Sequence, residues 1–203
     1  MNTRIKYSAC LLSLGFILAV LPYSGHPSLR RKPSELISAV SAGEWYVTPD
    51  QVARMIVSND TIMRLIDVRT PAEYNAFTLP GAVNVPYSEF AEKTISAYLG
   101  KGKVKNILFS NGDTQASYAF VLATGLKYNN MYIMKGGMNA WFNSVMNSRF
   151  SGELITAREN ALFETRTKAR KLFTEMNSLP DSLKAKLLAS KQLDAKKLDG
   201  GCE

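Results

Sequence analysis

Short apolar runs alternate with helix-start signals along the middle of the chain, and this alternation is what most constrains its fold. Each run is long enough for a buried strand, and a cap, proline or glycine turn follows within a few residues. Strands that alternate with helices form a mainly parallel sheet with helices on both faces. The sequence therefore predicts a doubly wound α/β domain. The expected strands are residues 45–47, 63–69, 83–85, 107–109 and 131–134.

Two of the expected helices begin with the same capping pattern. Thr48 and Thr70 each precede a proline and stand three residues before Gln51 and Glu73, respectively. A threonine side chain at this position accepts an N–H of the first turn, while the Gln or Glu side chain reaches back to the threonine N–H. Both helices are therefore expected to start at these threonines. A further helix is expected over residues 87–99.

The fourth expected strand leads into a short polar loop. The segment reads ILFSNGDTQAS from Ile107 to Ser117, and its helical pattern opens at Gln115, with Asp113 or Thr114 as the expected cap. Backbone N–H groups of such a loop converge at the positive end of a helix dipole and form an anion site. Many strand–loop–helix units bind nothing, so a purely structural loop stays an equal alternative. The candidate anion-binding residues are Ser110, Asn111, Gly112, Asp113, Thr114 and Gln115.

The net charge of +8 is carried by the two ends of the chain. Residues 1–33 contribute +5 and residues 148–203 contribute +3, whereas residues 34–147 hold nine basic and nine acidic residues. A basic excess at the ends is typical of a membrane-targeting segment and a solvated helix. Because the middle of the chain is electrically balanced, we do not expect it to bind nucleic acid.

Cysteine and histidine are too scarce for several classes of site. The chain has two cysteines, Cys10 and Cys202, and one histidine, His26, and all three lie outside the expected domain. We therefore expect no disulfide framework, no metal site and no cofactor. A Ser-His or Cys-His catalytic pair inside the domain would need a residue from another chain.

The first 23 residues have the layout of a secretory signal peptide or a short membrane anchor. Arg4 and Lys6 precede an apolar run at residues 8–22. As a helix this run spans about 22 Å, less than the roughly 30 Å hydrocarbon core of a bilayer. We expect export, with the domain periplasmic or membrane-anchored, and a buried core helix is the alternative. Residues 24–43 are expected to be a linker because two prolines flank a basic stretch there.

Residues 148–203 are expected to form a helical extension that ends in a Gly-Gly-Cys tail. Helical patterns cover residues 156–176 and 179–193. The first of these helices packs on the domain or binds a partner protein, and the sequence leaves both interpretations open. Its apolar stripe consists of Leu162, Ala169, Phe173 and Met176.

Four segments together resemble the rhodanese-like domain family. They are IDVRTPAEY at residues 66–74, LPGAVNVP at 79–86, the loop at Ser110, and YIMKGGMNAWF at 132–142, in the order and spacing of the family. The resemblance covers residues 44–147, about half of the chain. It implies a doubly wound α/β domain whose loop carries a catalytic cysteine. In the family, that cysteine becomes a persulfide and passes sulfane sulfur from thiosulfate or another donor to a thiol.

The loop departs from the family pattern where the chemistry would occur. Ser110 stands in place of the family's cysteine, and Asp113 and Gln115 stand where a cation commonly holds the anionic substrate. Phe77 and Thr78 replace the usual Gly-His before the Pro-Gly turn. A serine hydroxyl cannot form a persulfide and is a weak nucleophile without a base. An acid in the loop also repels an anion.

The remaining family-motif positions have structural interpretations. Asp67 and Arg69 end the second expected strand, where an Asp–Arg pair is expected to form an ion pair or a loop clamp. Gly136 and Gly137 are expected to form the tight turn into the next helix.

Two functional hypotheses follow from these residues. In the first, the chain is an exported rhodanese-like module that lacks thiosulfate sulfurtransferase activity at its loop and binds or scaffolds a partner protein. In the second, it is a sulfur-transfer or sulfur-carrier protein that uses Cys202 as its thiol, with a small sulfur anion or a persulfide as ligand. The N-terminal segment would add a membrane association in either case.

Overall fold

Helices and strands alternate through the part of the chain that the structure describes. This computed structural model describes residues 3–20, 34, 38, 43–90, 99, 104–126, 128–150 and 156–197. The helices are α1 (Thr3–Val20), α2 (Pro49–Val57), α3 (Pro71–Ala76), α4 (Asp113–Gly125), α5 (Gly137–Trp141), α6 (Ala157–Asn177) and α7 (Asp181–Lys197). The strands are β1 (Tyr46–Val47), β2 (Met63–Asp67), β3 (Val83–Asn84), β4 (Lys105–Phe109) and β5 (Met131–Met134). A 3-10 turn (Tyr87–Glu89) follows β3, and a π-helical turn (Phe142–Met146) continues α5.

The strands form one parallel sheet in the order β1-β5-β4-β2-β3. Ile66 of β2 lies opposite Leu108 of β4 on one side and Val83 of β3 on the other. Ile107 of β4 lies opposite Tyr132 of β5. The predicted α/β fold class is confirmed.

Both predicted capping boxes are present. The Thr48 hydroxyl accepts the Gln51 N–H at 3.2 Å, and the Gln51 side chain accepts the Thr48 N–H at 2.7 Å. Thr70 and Glu73 exchange the same pair of bonds at 3.3 and 3.1 Å. Thr70 of the second box lies three residues after the end of β2, so Glu73 lies close to the carboxyl edge of the sheet.

The sheet buries apolar side chains on both faces. Along β4, Leu108 packs into one apolar cluster together with Phe120 of α4. Its neighbours Ile107 and Phe109 pack into the opposite cluster, together with Trp141 of α5. This alternation follows from the two-residue period of a strand. The carboxyl end of β4 is therefore held from both sides.

The two C-terminal helices complete the second cluster. Ala169 and Phe173 of α6 and Leu188 of α7 are buried in it. The Phe173 ring packs edge-to-face on Phe142, with ring centroids 5.6 Å apart. The first helix of the extension thus packs on the domain, as one of the two interpretations of its stripe predicted.

The N-terminal segment is helical over α1. Its described side chains are exposed, including the apolar Leu11, Leu12 and Phe16. In the described part of the chain, no helix is long and apolar enough to cross a membrane. The expected linker at 24–43 lies almost entirely outside the described residues, and the tail with Cys202 lies wholly outside them.

The helix expected over residues 87–99 begins as a 3-10 turn that covers Tyr87–Glu89. The Tyr87 N–H donates to the Val68 carbonyl at 2.9 Å, so tertiary contact to the loop after β2 sets the conformation here. Residues 91–98 of that expected helix lie outside the described part of the chain.

Candidate active-site loop

The candidate site is the Ser110 loop, which we define as residues 110–112 between β4 and α4. Ser110 is 2% exposed, and its hydroxyl donates to the Gly112 carbonyl at 2.6 Å. The hydroxyl is therefore turned into its own loop. Among the described residues, no histidine, lysine or carboxylate forms a hydrogen bond with it that could act as a base.

The glycine pair after β5 supports the loop from below. The N–H groups of Met138 and Asn139 donate to the carbonyls of Ser110 and Asn111 at 2.8 and 3.0 Å. Gly137 has φ +54°, and a Cβ atom there would lie 2.3 Å from the Ser110 carbonyl oxygen. Gly136 has φ +70° and opens the turn. The pair thus forms the predicted turn, and Gly137 also allows a close backbone approach.

The helix after the loop starts earlier than its side-chain pattern suggests. The helix α4 begins at Asp113, and Gly112 occupies the cap position without a side-chain cap. The predicted cap at Asp113 or Thr114 is wrong, because the Asp113 carboxylate accepts the Gly136 N–H at 2.5 Å instead. Asp113 therefore joins the loop to the glycine turn. Thr114 and Gln115 are exposed in the first turn of α4.

Asp67 and Arg69 form a fully buried ion pair under the loop. Arg69 Nε and Nη2 donate to the two Asp67 carboxylate oxygens at 2.9 and 2.6 Å, and both side chains are 0% exposed. The Arg69 N–H adds a third bond to Asp67 at 3.0 Å. Arg69 Nη1 reaches the loop and donates to Asn111 Oδ1 at 3.2 Å. The pair clamps the loop, and the guanidinium has no exposed surface to offer an anion.

Three neighbouring residues complete the clamp. The Thr78 hydroxyl donates to Asp67 Oδ2 at 2.8 Å, and the Phe77 carbonyl accepts from Arg69 Nη2 at 2.7 Å. The Phe77 ring also lies 4.8 Å from the Arg69 guanidinium carbon. Asn84 donates to the carbonyls of both Asp67 and Arg69 at 2.9 Å. Sequence reasoning missed Asn84, and it noted Phe77 and Thr78 only as departures from the family.

Two carboxylates, those of Glu73 and Asp113, flank the loop. Asn111 Nδ2 donates to Glu73 Oε1 at 2.7 Å, so Glu73 lies against the loop opposite Arg69. Hydrogen bonds from Thr70, and after them from Asn111, lower the pKa of the Glu73 carboxyl. Asp113 adds a second negative charge in the first turn of α4, where it complements the helix dipole. A dianion at this loop would be repelled by both acids. The positive end of the α4 dipole would attract it only weakly, because Asp113 already offsets that partial charge.

The described residues in and around the loop include no cysteine. Cys10 is exposed in α1, and Cys202 lies outside the described residues. Within the described ranges, no three His, Cys, Asp or Glu side chains converge in a way that could hold a metal ion.

The segment that contains the loop is similar to known proteins. Residues 48–144 match the family model of the rhodanese-like domain. The thiosulfate:glutathione sulfurtransferase of Saccharomyces cerevisiae is 28% identical over 102 residues, which cover 45% of this chain and 73% of that protein.

Solved structures of similar proteins include a Bacillus halodurans protein, BH2092, and a human single-domain sulfurtransferase. The match to the first has a TM-score of 0.47 and 17% identity, and it covers 64% of this chain and 99% of the Bacillus halodurans chain. The match to the second has a TM-score of 0.42 and 24% identity, and it covers 50% of this chain and 98% of the human chain. The resemblance to the rhodanese-like domain family is thus confirmed over residues 48–144, just under half of the chain.

Proposed function

We propose that this chain is an exported rhodanese-like protein whose Ser110 loop has lost sulfur transfer and serves in a binding or scaffolding module. One observation carries the proposal: the Ser110 hydroxyl is buried and donates to the Gly112 carbonyl inside its own loop. The family reaction needs a thiolate that takes the outer sulfur of thiosulfate while sulfite leaves. A hydroxyl cannot hold that sulfur as a persulfide.

The electrostatics of the loop support the same proposal. Glu73 and Asp113 carry negative charge beside the loop, and the Arg69 guanidinium is fully buried against Asp67. Opposite charges attract and like charges repel most strongly where water is partly excluded. An anionic sulfur donor is therefore disfavoured at this loop, whereas a neutral or cationic group of a partner protein is not.

The loop proposal predicts the activity of three variants in a thiosulfate:cyanide assay. The natural protein and Ser110→Ala should both lack activity, because neither has sulfur in the loop. Ser110→Cys should gain at most weak activity because the two acids remain. Adding Asp113→Asn to Ser110→Cys should raise that activity about tenfold, since it removes one charge that faces the dianion and keeps an acceptor for the Gly136 N–H.

Two outcomes would contradict this proposal. Activity that is present in the natural protein and absent in Ser110→Ala would make Ser110 a catalytic residue. Activity that survives Ser110→Ala and disappears in Cys202→Ser would instead favour the sulfur-carrier hypothesis, and mass spectrometry would then detect a persulfide on Cys202.

Export is the second part of the proposal. It is supported by the basic start at Arg4 and Lys6 and by the apolar run at residues 8–22. We propose that the domain is periplasmic or anchored to the membrane by this segment. Fractionation of the full-length tagged chain should find it outside the cytoplasm, and Leu12→Arg should retain it inside by interrupting the apolar run. A soluble cytoplasmic pool of the natural chain would contradict export.

A further inference from the structure

We infer that the C-terminal helices α6 and α7 control the conformation of the Ser110 loop through residues 76–78, to which both helices form hydrogen bonds. The Asp67–Arg69 pair holds this segment from the other side. The inference concerns the conformation of the loop, so it does not rest on what the loop binds or on whether the chain is exported.

The outer side of the segment is held by two polar side chains of the extension. The Asn177 amide at the end of α6 pairs with the backbone of Thr78, accepting its N–H at 3.1 Å and donating to its carbonyl at 3.0 Å. Lys184 of α7 is buried, and its Nζ donates to the Ala76 carbonyl at 2.6 Å. A cation at this carbonyl also lies at the negative end of α3. Both contacts join residues about a hundred positions apart in the chain.

The inner side of the same segment leads directly to the loop. Thr78 donates to Asp67 and the Phe77 carbonyl accepts from Arg69, as described above. Arg69 in turn donates to Asn111 of the loop. The path from α6 to the loop is therefore a continuous series of hydrogen bonds: Asn177, Thr78, Asp67, Arg69 and Asn111. Within it, Asp67 and Arg69 are fully buried, where a lost partner is costly.

A second route reaches the same ion pair from α7. The Gln192 amide accepts the Asn84 N–H at 3.0 Å and donates to the Asn84 carbonyl at 2.6 Å. The Asn84 side chain then donates to the carbonyls of Asp67 and Arg69. Two separate helices thus converge on one buried pair under the loop.

The extension also has a contact that avoids this network. Arg166 of α6 binds Asp50 of α2 with two bonds of 2.7 Å, on the part of the helix remote in sequence from Asn177. Breaking this pair loosens the same helix without removing any bond to residues 76–78 or Asn84. Arg166 therefore supplies a matched control.

Coupling of this kind is reciprocal. If docking of α6 and α7 favours one conformation of the loop, then a ligand that prefers that conformation also strengthens docking of the helices. A partner that binds the extension would therefore change the affinity of the loop for its ligand. That ligand would change the affinity of the extension for the partner by the same factor.

Amide hydrogen exchange of the full-length protein tests the inference. In Asn177→Ala, peptides that contain the amides of Met138 and Asn139, which donate to the carbonyls of the Ser110 loop, should exchange about tenfold faster, the shift expected when a pair of partly buried hydrogen bonds is lost. In Arg166→Gln, measured at the same interval below its melting temperature, exchange in these peptides should stay unchanged.

Equal exchange of the loop in Asn177→Ala and Arg166→Gln would overturn the inference, because the helix would then act only through overall stability. Should Asn177→Ala fail to fold, Gln192→Ala tests the second route by the same measurement. Unchanged loop exchange in Gln192→Ala would then overturn the inference.

Discussion

Asp67→Ala is expected to lower the free energy of unfolding by about 3–5 kcal/mol, the range for breaking a buried ion pair by removing one partner. The alanine would leave the Arg69 guanidinium fully buried without its carboxylate. It would also remove the acceptor of the Thr78 hydroxyl and of the Arg69 N–H. The midpoint of a urea titration, at constant slope, measures the loss.

A second ion pair in the same protein is the control for this prediction. Asp50 and Arg166 also form two bonds of 2.7 Å, but their side chains are 28% and 24% exposed. Water screens such a pair, so Asp50→Ala should cost about 1 kcal/mol or less. If both alanine variants lost equal stability, burial would not be what distinguishes the Asp67–Arg69 pair, and its role as a clamp would be wrong.

Gly137→Ala is expected to cost more stability than the same change at Gly43, Gly81, Gly112 or Gly136. The added Cβ would lie 2.3 Å from the Ser110 carbonyl oxygen and 2.9 Å from Asn111 C and Gly112 N. These are backbone atoms that cannot rotate away, so the loop itself would have to move. The positive φ adds a further ~1–2 kcal/mol for a residue with a side chain.

The change Gly81→Ala measures the cost of the positive φ separately from the cost of contact with the loop. It has φ +77°, yet a Cβ there would meet nothing within 4 Å. Gly81→Ala should therefore show the backbone cost alone, and thermal unfolding of the two variants gives the difference that is due to contact with the loop. A Gly137→Ala protein as stable as Gly81→Ala would show that the loop can shift without cost.

The sequence predicted those parts of the fold that depend on neighbours in the chain. Both capping boxes were predictable because Thr48 and Gln51, like Thr70 and Glu73, are three residues apart. The five strands were predictable from short apolar runs, although Asn106 of β4 is buried without being apolar. The order of the strands follows from pairings between distant segments and is not contained in any one pattern.

The parts that were missed depend on contacts across the chain. Asp113 is a suitable cap by sequence, but the Gly136 N–H competes for its carboxylate from 23 positions away. The pairing of Asn177 with Thr78 spans 99 positions, and that of Gln192 with Asn84 spans 108. From the sequence alone, an Asn or Gln on a helix looks like an ordinary exposed residue. Only the packing of α6 and α7 on the domain turns these two into partly buried partners of the backbone.

The Gln192 amide has a consequence for solubility. β3 is the last strand of its sheet, and an unpaired strand at such a border is a template for pairing with another chain. Gln192 occupies both the N–H and the carbonyl of Asn84, as the next strand would. The family match ends at residue 144, so a chain cut there would expose this border and an apolar surface beside it. By occupying both backbone groups of Asn84, α7 keeps this residue of the edge strand from pairing with another chain.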